Sequence, residues 1–302
     1  MSTRRCLPAL VAVGLLIAST TTATAQIDTG QGKTAQGPTQ GGGGAAATRS
    51  KPAYVELEAP RPGWYTKRLH TRVVAAGSRG RVVPVPRRLD LPAGGLAFAG
   101  IRPGAWIIAP SGCTTNFVFG TRRDYFIGTA GHCARVGQQV TLLAAPGVMM
   151  NIGRTVKSVN RGVGNDFALI DVRPRMEKYV RPSMTYFGGP TRAGAPAEGD
   201  VVEHAGHGLV IGTGGTPRAG AVVYRGTGDR NRGRAFAWVG ASTPGDSGSA
   251  VRKADGAAAG NLTHHVRGST YALANVAGTT IARMLQIADR RLATAPDLPD
   301  PS

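Results

Sequence analysis

The stretch Asp124–Cys133, DYFIGTAGHC, is an apolar, aromatic run that breaks into small residues and ends on a histidine beside a cysteine. Its first half reads as a β-strand and its second half as a tight turn that presents His132. A histidine in such a turn is a candidate base only if a nucleophile and a carboxylate lie elsewhere in the chain. Downstream, Gly164–Val172 reads GNDFALIDV, an apolar strand headed by Asp166. Asp171 lies five residues on, so the strand period of two turns it to the opposite face, and one carboxylate alone can meet the histidine. Further on, Thr243–Val251 reads TPGDSGSAV, in which Ser247 stands between an aspartate and a glycine. That setting favours a tight loop and an exposed hydroxyl.

Around these stretches the chain from about Leu96 to Leu292 repeats one texture. Short β-branched or aromatic runs such as AWIIA, NFVF, QVTLL, GDVVEH, GAVVYR, RAFAWV and YALANVAG alternate with Gly, Pro, Asn and Asp turns. Many short strands with little helix argue for an all-β barrel or sandwich. The end differs. Thr279 and Thr280 can cap a helix on which Ile281, Met284 or Leu285, Ala288 and Leu292 recur at helical spacing.

Together the segments TAGHC, NDFALI and GDSG, in the order His, Asp, Ser, resemble the motifs of the chymotrypsin-like serine proteases. The likeness extends from about Ile101 to Leu292 and is nearest to the secreted bacterial branch, such as streptogrisins and glutamyl endopeptidases. It implies two packed six-stranded antiparallel Greek-key β-barrels with a C-terminal α-helix. It implies a serine endopeptidase with His132 as general base, Asp166 as its orienting carboxylate and Ser247 as nucleophile, and with the Gly245 and Ser247 N–H groups forming the oxyanion hole. It pairs Cys113 with Cys133, beside the histidine. It places Ala241 at the base of the primary specificity pocket, with Ser242, Thr263 and either His264 or His265 as further lining.

No carboxylate stands at Ala241, so cleavage after Arg or Lys is expected to be poor. A small or apolar preference is expected, with an acidic one as the alternative. The sequence departs from the commonest pattern in reading Ser249-Ala250 after GDSG, and it has no Ile-Val-Gly-Gly start. Another cation, such as an arginine, must therefore hold Asp246. The same residue order excludes an α/β-hydrolase, whose acid and histidine follow the serine and whose elbow needs a glycine where Ser249 stands.

The remaining features set the context. Arg4 and Arg5, the apolar run Cys6–Ala18 and the small residues Ala23-Thr24-Ala25 make residues 1–25 a secretory signal peptide. No later segment is apolar enough to anchor in a membrane. With Cys6 in that leader, Cys113 and Cys133 can pair only with each other, closing a loop of about 20 residues worth about 3 kcal/mol in an oxidising compartment. Residues 26–50 form a Gly/Gln/Thr linker. Residues 51–95, with nine basic and three acidic residues, are either an extension packed on the main domain or a removable pro-segment. Residues 96–292 are the main domain and 293–302 a tail.

Without the leader, 34 basic residues face 17 acidic ones, a net charge of +17. The arginines are scattered, without a basic helix or an aromatic-studded basic strand, so nucleic acid is not the expected partner. Glu203, His204 and His207 in EHAGHG lack the helical spacing of a zincin site, and neither metal nor cofactor is expected. The expectation is a secreted, monomeric endopeptidase acting on proteins or peptides. The rival is a catalytically silent protease fold that binds anionic surfaces.

Overall fold

The computed structural model describes residues 53–56, 74–75, 100–145, 148–208, 217–226, 233–267 and 275–297. The segments expected to be a signal peptide and a linker, and most of residues 51–95, lie outside these. What is described of that last segment is two short strands, β1 (Ala53–Glu56) and β2 (Val74–Ala75).

The first barrel is built from β3 (Trp106–Ile108), β4 (Gly112–Thr114), β5 (Val118–Thr121), β6 (Asp124–Thr129), β7 (Gln139–Ala145), β8 (Val148–Asn160) and β9 (Asp166–Val172). A 3-10 turn, Pro174–Tyr179, and the two-residue β10 (Arg192–Ala193) follow. The second barrel contains β11 (Val201–Ala205), β12 (Pro217–Arg225), β13 (Ala235–Val239), β14 (Ala250–Lys253), β15 (Ala257–Arg267) and β16 (Val276–Thr280). The helix α1 (Ile281–Ala288) closes the order.

Pairing runs β15-β14-β11-β12-β13-β16, and β16 returns to β15, so the second sheet is a closed six-stranded barrel. The first sheet runs β4-β3-β7-β8-β9-β6-β5. Its two ends, β4 and β5, are successive pieces of one stretch, 112–121, broken at Thr115–Phe117. Taking that stretch as one strand, both sheets have the same ring order, 1-2-3-6-5-4, and every barrel pairing is antiparallel. This is the double Greek-key barrel that the sequence motifs imply.

Alternation of side chains explains where the core sits. Ile107, Val118, Ile127, Val140, Leu142, Ile152 and Ile170 fill the first barrel. Val202, Val222, Phe236, Trp238, Val251 and Leu262 fill the second. Phe117, Phe119, Phe167 and Leu169 from the outer faces of the first barrel meet Ala250, Ala258 and the buried stripe Ile281, Met284, Ala288 of α1. The strands of β5, β6 and β9 are therefore buried on both sides. This is why their sequence reads as continuous apolar runs rather than clean alternation.

Two details differ from the sequence expectation. Thr280 occupies the N-cap of α1, but its hydroxyl donates to Gly233 O (2.6 Å) and makes no cap bond. The helix also ends at Ala288, because Asp289 turns left-handed with φ 54°. Leu292, at helical spacing in the sequence, instead bridges Phe119 in a β fashion and packs beside the same cluster. The tail continues along the domain as far as Asp297, where Ala295 N donates to Pro190 O and Asp297 meets Arg252.

Candidate active site

The three motif segments converge where the barrels meet. His132 follows β6 and Asp166 opens β9, both in the first barrel, while Ser247 precedes β14 in the second. Cys133 is disulfide-bonded to Cys113 of β4, which ties the histidine turn to the neighbouring strand. Gly131 allows that turn to pass close to Val159 O, where a Cβ would clash.

His132 is held at both nitrogens. Its Nδ1 lies 2.6 Å from Asp166 Oδ2 and its Nε2 2.8 Å from Ser247 Oγ. The other oxygen of Asp166 accepts from the backbone N–H of Gly131 (2.5 Å) and of His132 (3.0 Å). The backbone of Asp166 is in turn fixed by the second barrel. Thr279 Oγ1 accepts from Asp166 N at 3.1 Å, and Asn261 Nδ2 donates to Asp166 O at 3.2 Å. Asp166 is fully buried, whereas Asp171 is exposed on the opposite face as the strand period requires. Partial desolvation, with Asp124 and Glu177 nearby, raises the pKa of the Asp171 carboxyl against the opposing charge of Arg290.

Ser247 departs from expectation in its exposure. Its glycine-rich setting suggests an exposed hydroxyl, yet the residue is completely buried, and the His132 side chain is 1 % exposed. The hydroxyl sits between His132 Nε2 and the carbonyl of Thr263, 3.1 Å away. The loop around it is pinned to both barrels. Thr114 N donates to Ser247 O, Thr114 Oγ1 donates to Gly245 O, and Gly248 N donates to Leu262 O. Gly245 adopts φ 105°, a conformation that a side chain would strain.

Asp246 is buried, and the cation beside it is Arg218 of β12, an arginine as expected but at a position no spacing rule indicates. The N–H groups of Gly208 (2.7 Å) and Thr243 (2.8 Å) also donate to its carboxylate. A charge removed from water in this way needs both the ion pair and the hydrogen bonds to offset its desolvation.

The adjacent histidines of β15 separate as neighbouring strand residues do. His264 is buried, with Nδ1 2.8 Å from Thr263 Oγ1 and 3.7 Å from Asp166 Oδ2. His265 turns the other way and places Nε2 2.6 Å from Ser242 Oγ. Thr263 brings its carbonyl to Ser247, while its hydroxyl donates to Ala277 O. Ala241 is exposed.

The Glu203–His204–His207 stretch divides. The Glu203 carboxylate pairs with Arg252 Nε at 2.8 Å, while His204 lies against Trp238 on the other face of β11. Burial lowers the pKa of His204 and of His207 to about 4 each, which keeps both neutral at pH 7.

No family model matches the chain, and no curated protein does. Among solved structures the chain is similar to Thermobifida fusca protease A. The identity is 15 %, covering 65 % of this chain and 98 % of that one, with a TM-score of 0.44. It is similar to a glutamic acid-specific serine protease at 15 % identity, covering 64 % and 100 %, with a TM-score of 0.48. It is also similar to a Cellulomonas bogoriensis chymotrypsin at 20 % identity, covering 65 % and 98 %, with a TM-score of 0.44.

Proposed function

We propose that the protein is a serine endopeptidase. The observation that carries this reading is the imidazole of His132 bonded at once to Asp166 and to Ser247 at the junction of the two barrels. Serine is unreactive at its own pKa and needs this base. Ser247 Oγ attacks the scissile carbonyl carbon as its proton passes to His132 Nε2. His132 then protonates the leaving amine, which frees an acyl-enzyme, and water repeats the sequence in reverse roles. Asp166 holds Nδ1–H and stabilises the imidazolium. The N–H groups of Gly245 and Ser247 receive the oxyanion, and one such donor is worth about 3 kcal/mol of barrier.

Specificity follows from Ala241, Ser242 and His265. A basic side chain would meet no carboxylate at Ala241, which is exposed, so nothing there favours its binding over that of a neutral one. The bond between His265 and Ser242 engages the two polar groups with each other, which supports a small or apolar preference. An acidic residue is the alternative, since the same two groups can donate to a carboxylate.

Secretion is part of the proposal. It rests on the leader-like residues 1–25 and on the disulfide, which persists in oxidising compartments. Among the described residues no helix is long and apolar enough to cross a membrane. A monomer acting on proteins or peptides fits this reading.

The test is digestion of an unfolded protein by the purified chain and by Ser247→Ala. Peptide release should fall by about 10⁴-fold or more in the variant, the scale on which triad members act. Equal digestion by both would overturn the assignment.

A further inference from the structure

The outer edge of β15 has an unusual occupant. On one side β15 pairs with β16 along most of its length. On the other side β14 covers only Ala258–Asn261. Leu262 is still bonded to Gly248 and Ser249, and beyond it the edge would leave unpaired N–H and C=O groups, a ready template for another strand. The strand that takes it is β1, from the chain's own N-terminal segment. It lies antiparallel, with Ala53 opposite Arg267, Val55 opposite His265 and Glu56 opposite His264.

The position of this strand matters chemically. Between the part of the edge covered by β14 and the part covered by β1 lies Thr263, whose carbonyl accepts the Ser247 hydroxyl. A peptide following the path of β1 therefore moves toward the nucleophile as it leaves Glu56. The residue after the Glu56 position would come opposite Thr263 and offer its carbonyl to Ser247. The residue in the Glu56 position is then the second one before the bond to be cut.

Glu56, itself exposed, borders a cleft. This cleft, of about 580 Å³ beside His132, is also lined by Arg135, Ser158 and Asn160. Asn160 Nδ2 donates to Glu56 Oε1 at 3.2 Å. The Ser158 hydroxyl is spent on Gly131 O at 3.1 Å, so the Asn160 amide and the Arg135 guanidinium are the donors left for a carboxylate.

We propose that Ala53–Glu56 is a tethered, substrate-like occupant of the peptide-binding edge, and that the cleft at Arg135 and Asn160 selects an acidic side chain at the second position before the cleaved bond. The inference rests on the protease reading. Main-chain pairing supplies the affinity and the cleft the specificity, as in other recognition by strand addition. Tethering matters because a segment on the same chain presents itself at an effective concentration of about millimolar. A weak peptide can then keep the site covered until a better substrate displaces it or the segment is removed.

The experiment compares the full chain with Val55→Pro, which removes a β1 N–H, and with Glu56→Arg, which reverses the charge at the cleft. The first readout is the rate at which a fluorophosphonate modifies Ser247. Both variants should react at least tenfold faster than the parent. Because β1 is an edge strand, melting of the barrels should be unchanged, and Glu56→Arg decides should the proline variant not fold. The second readout is hydrolysis by Glu56→Arg of the fluorogenic amide of Ala-Tyr-Val-Glu-Leu, the sequence of residues 53–57, against its Lys analogue at the fourth position. The Glu peptide should be turned over at least tenfold better. Equal labelling rates in all three proteins, or equal turnover of the two peptides, would overturn the inference and leave the protease reading standing. No labelling in any of them would overturn the protease reading itself.

Discussion

The two nitrogens of His132 are both committed, one to a carboxylate and one to a hydroxyl, so its tautomer is set by Asp166. Asp166→Asn keeps the shape but offers an N–H where an acceptor is needed. Turnover should fall by about 10⁴-fold, the cost of the wrong tautomer. Asp171→Asn should leave turnover within about twofold, because that side chain faces solvent on the other side of β9. Peptide hydrolysis by the two purified variants checks both, and comparable losses would contradict the assignment. These residues were legible in the sequence because each sits in a local signature: a strand end, a glycine turn, a strand start. Thr279, Asn261 and Arg218 were not. They reach Asp166 and Asp246 across the fold, and no spacing along the chain encodes such a meeting. The burial of Ser247 was likewise hidden, since a glycine-rich turn looks exposed until its neighbours are placed around it.

Among the elements, the loop carrying Ser247 depends most on one distant strand. Arg218 of β12 supplies the positive charge for Asp246, next to the nucleophile. Arg218→Ala would leave a buried carboxylate without its cation, at a cost of about 3–5 kcal/mol. Thermal melting should show that loss, and fluorophosphonate labelling of Ser247 should slow with it. An unchanged melting temperature would contradict the role given to this pair. The disulfide between β4 and the histidine turn acts through the unfolded chain. Replacing Cys113 and Cys133 together by alanine should cost about 3 kcal/mol for a loop of this size. The strand runs of the barrels were legible from their β-branched residues and turn signals. The long β8 was not, because Asn151, Gly153, Arg154 and Lys157 interrupt its apolar pattern. The helix α1 ends one turn before the helical spacing of the sequence does. Leu292 keeps the helical spacing but belongs to a β-bridge.

Over the whole molecule, two copies of one ring order bring catalytic side chains from separate barrels into a single seam. Stability at that scale carries a pH signature. His204 and His207 titrate near 4 in the folded protein and near 6.5 when unfolded. Below pH 6.5 the unfolded chain therefore binds more protons than the folded one, so stability falls as the pH drops from 6.5 towards 4. The effect is on the order of 3 kcal/mol for each histidine. Melting temperatures should decline across that window, and a flat profile would contradict the neutral burial of these rings.

Activation of Ser247 as a nucleophile is tested most directly by exhaustive reaction of the full chain with a fluorophosphonate. Intact mass and peptide mapping then locate the adduct. One adduct is expected, on Ser247, absent from Ser247→Ala and suppressed in Asp166→Asn. No adduct on the folded protein, or one on another residue, would contradict that activation.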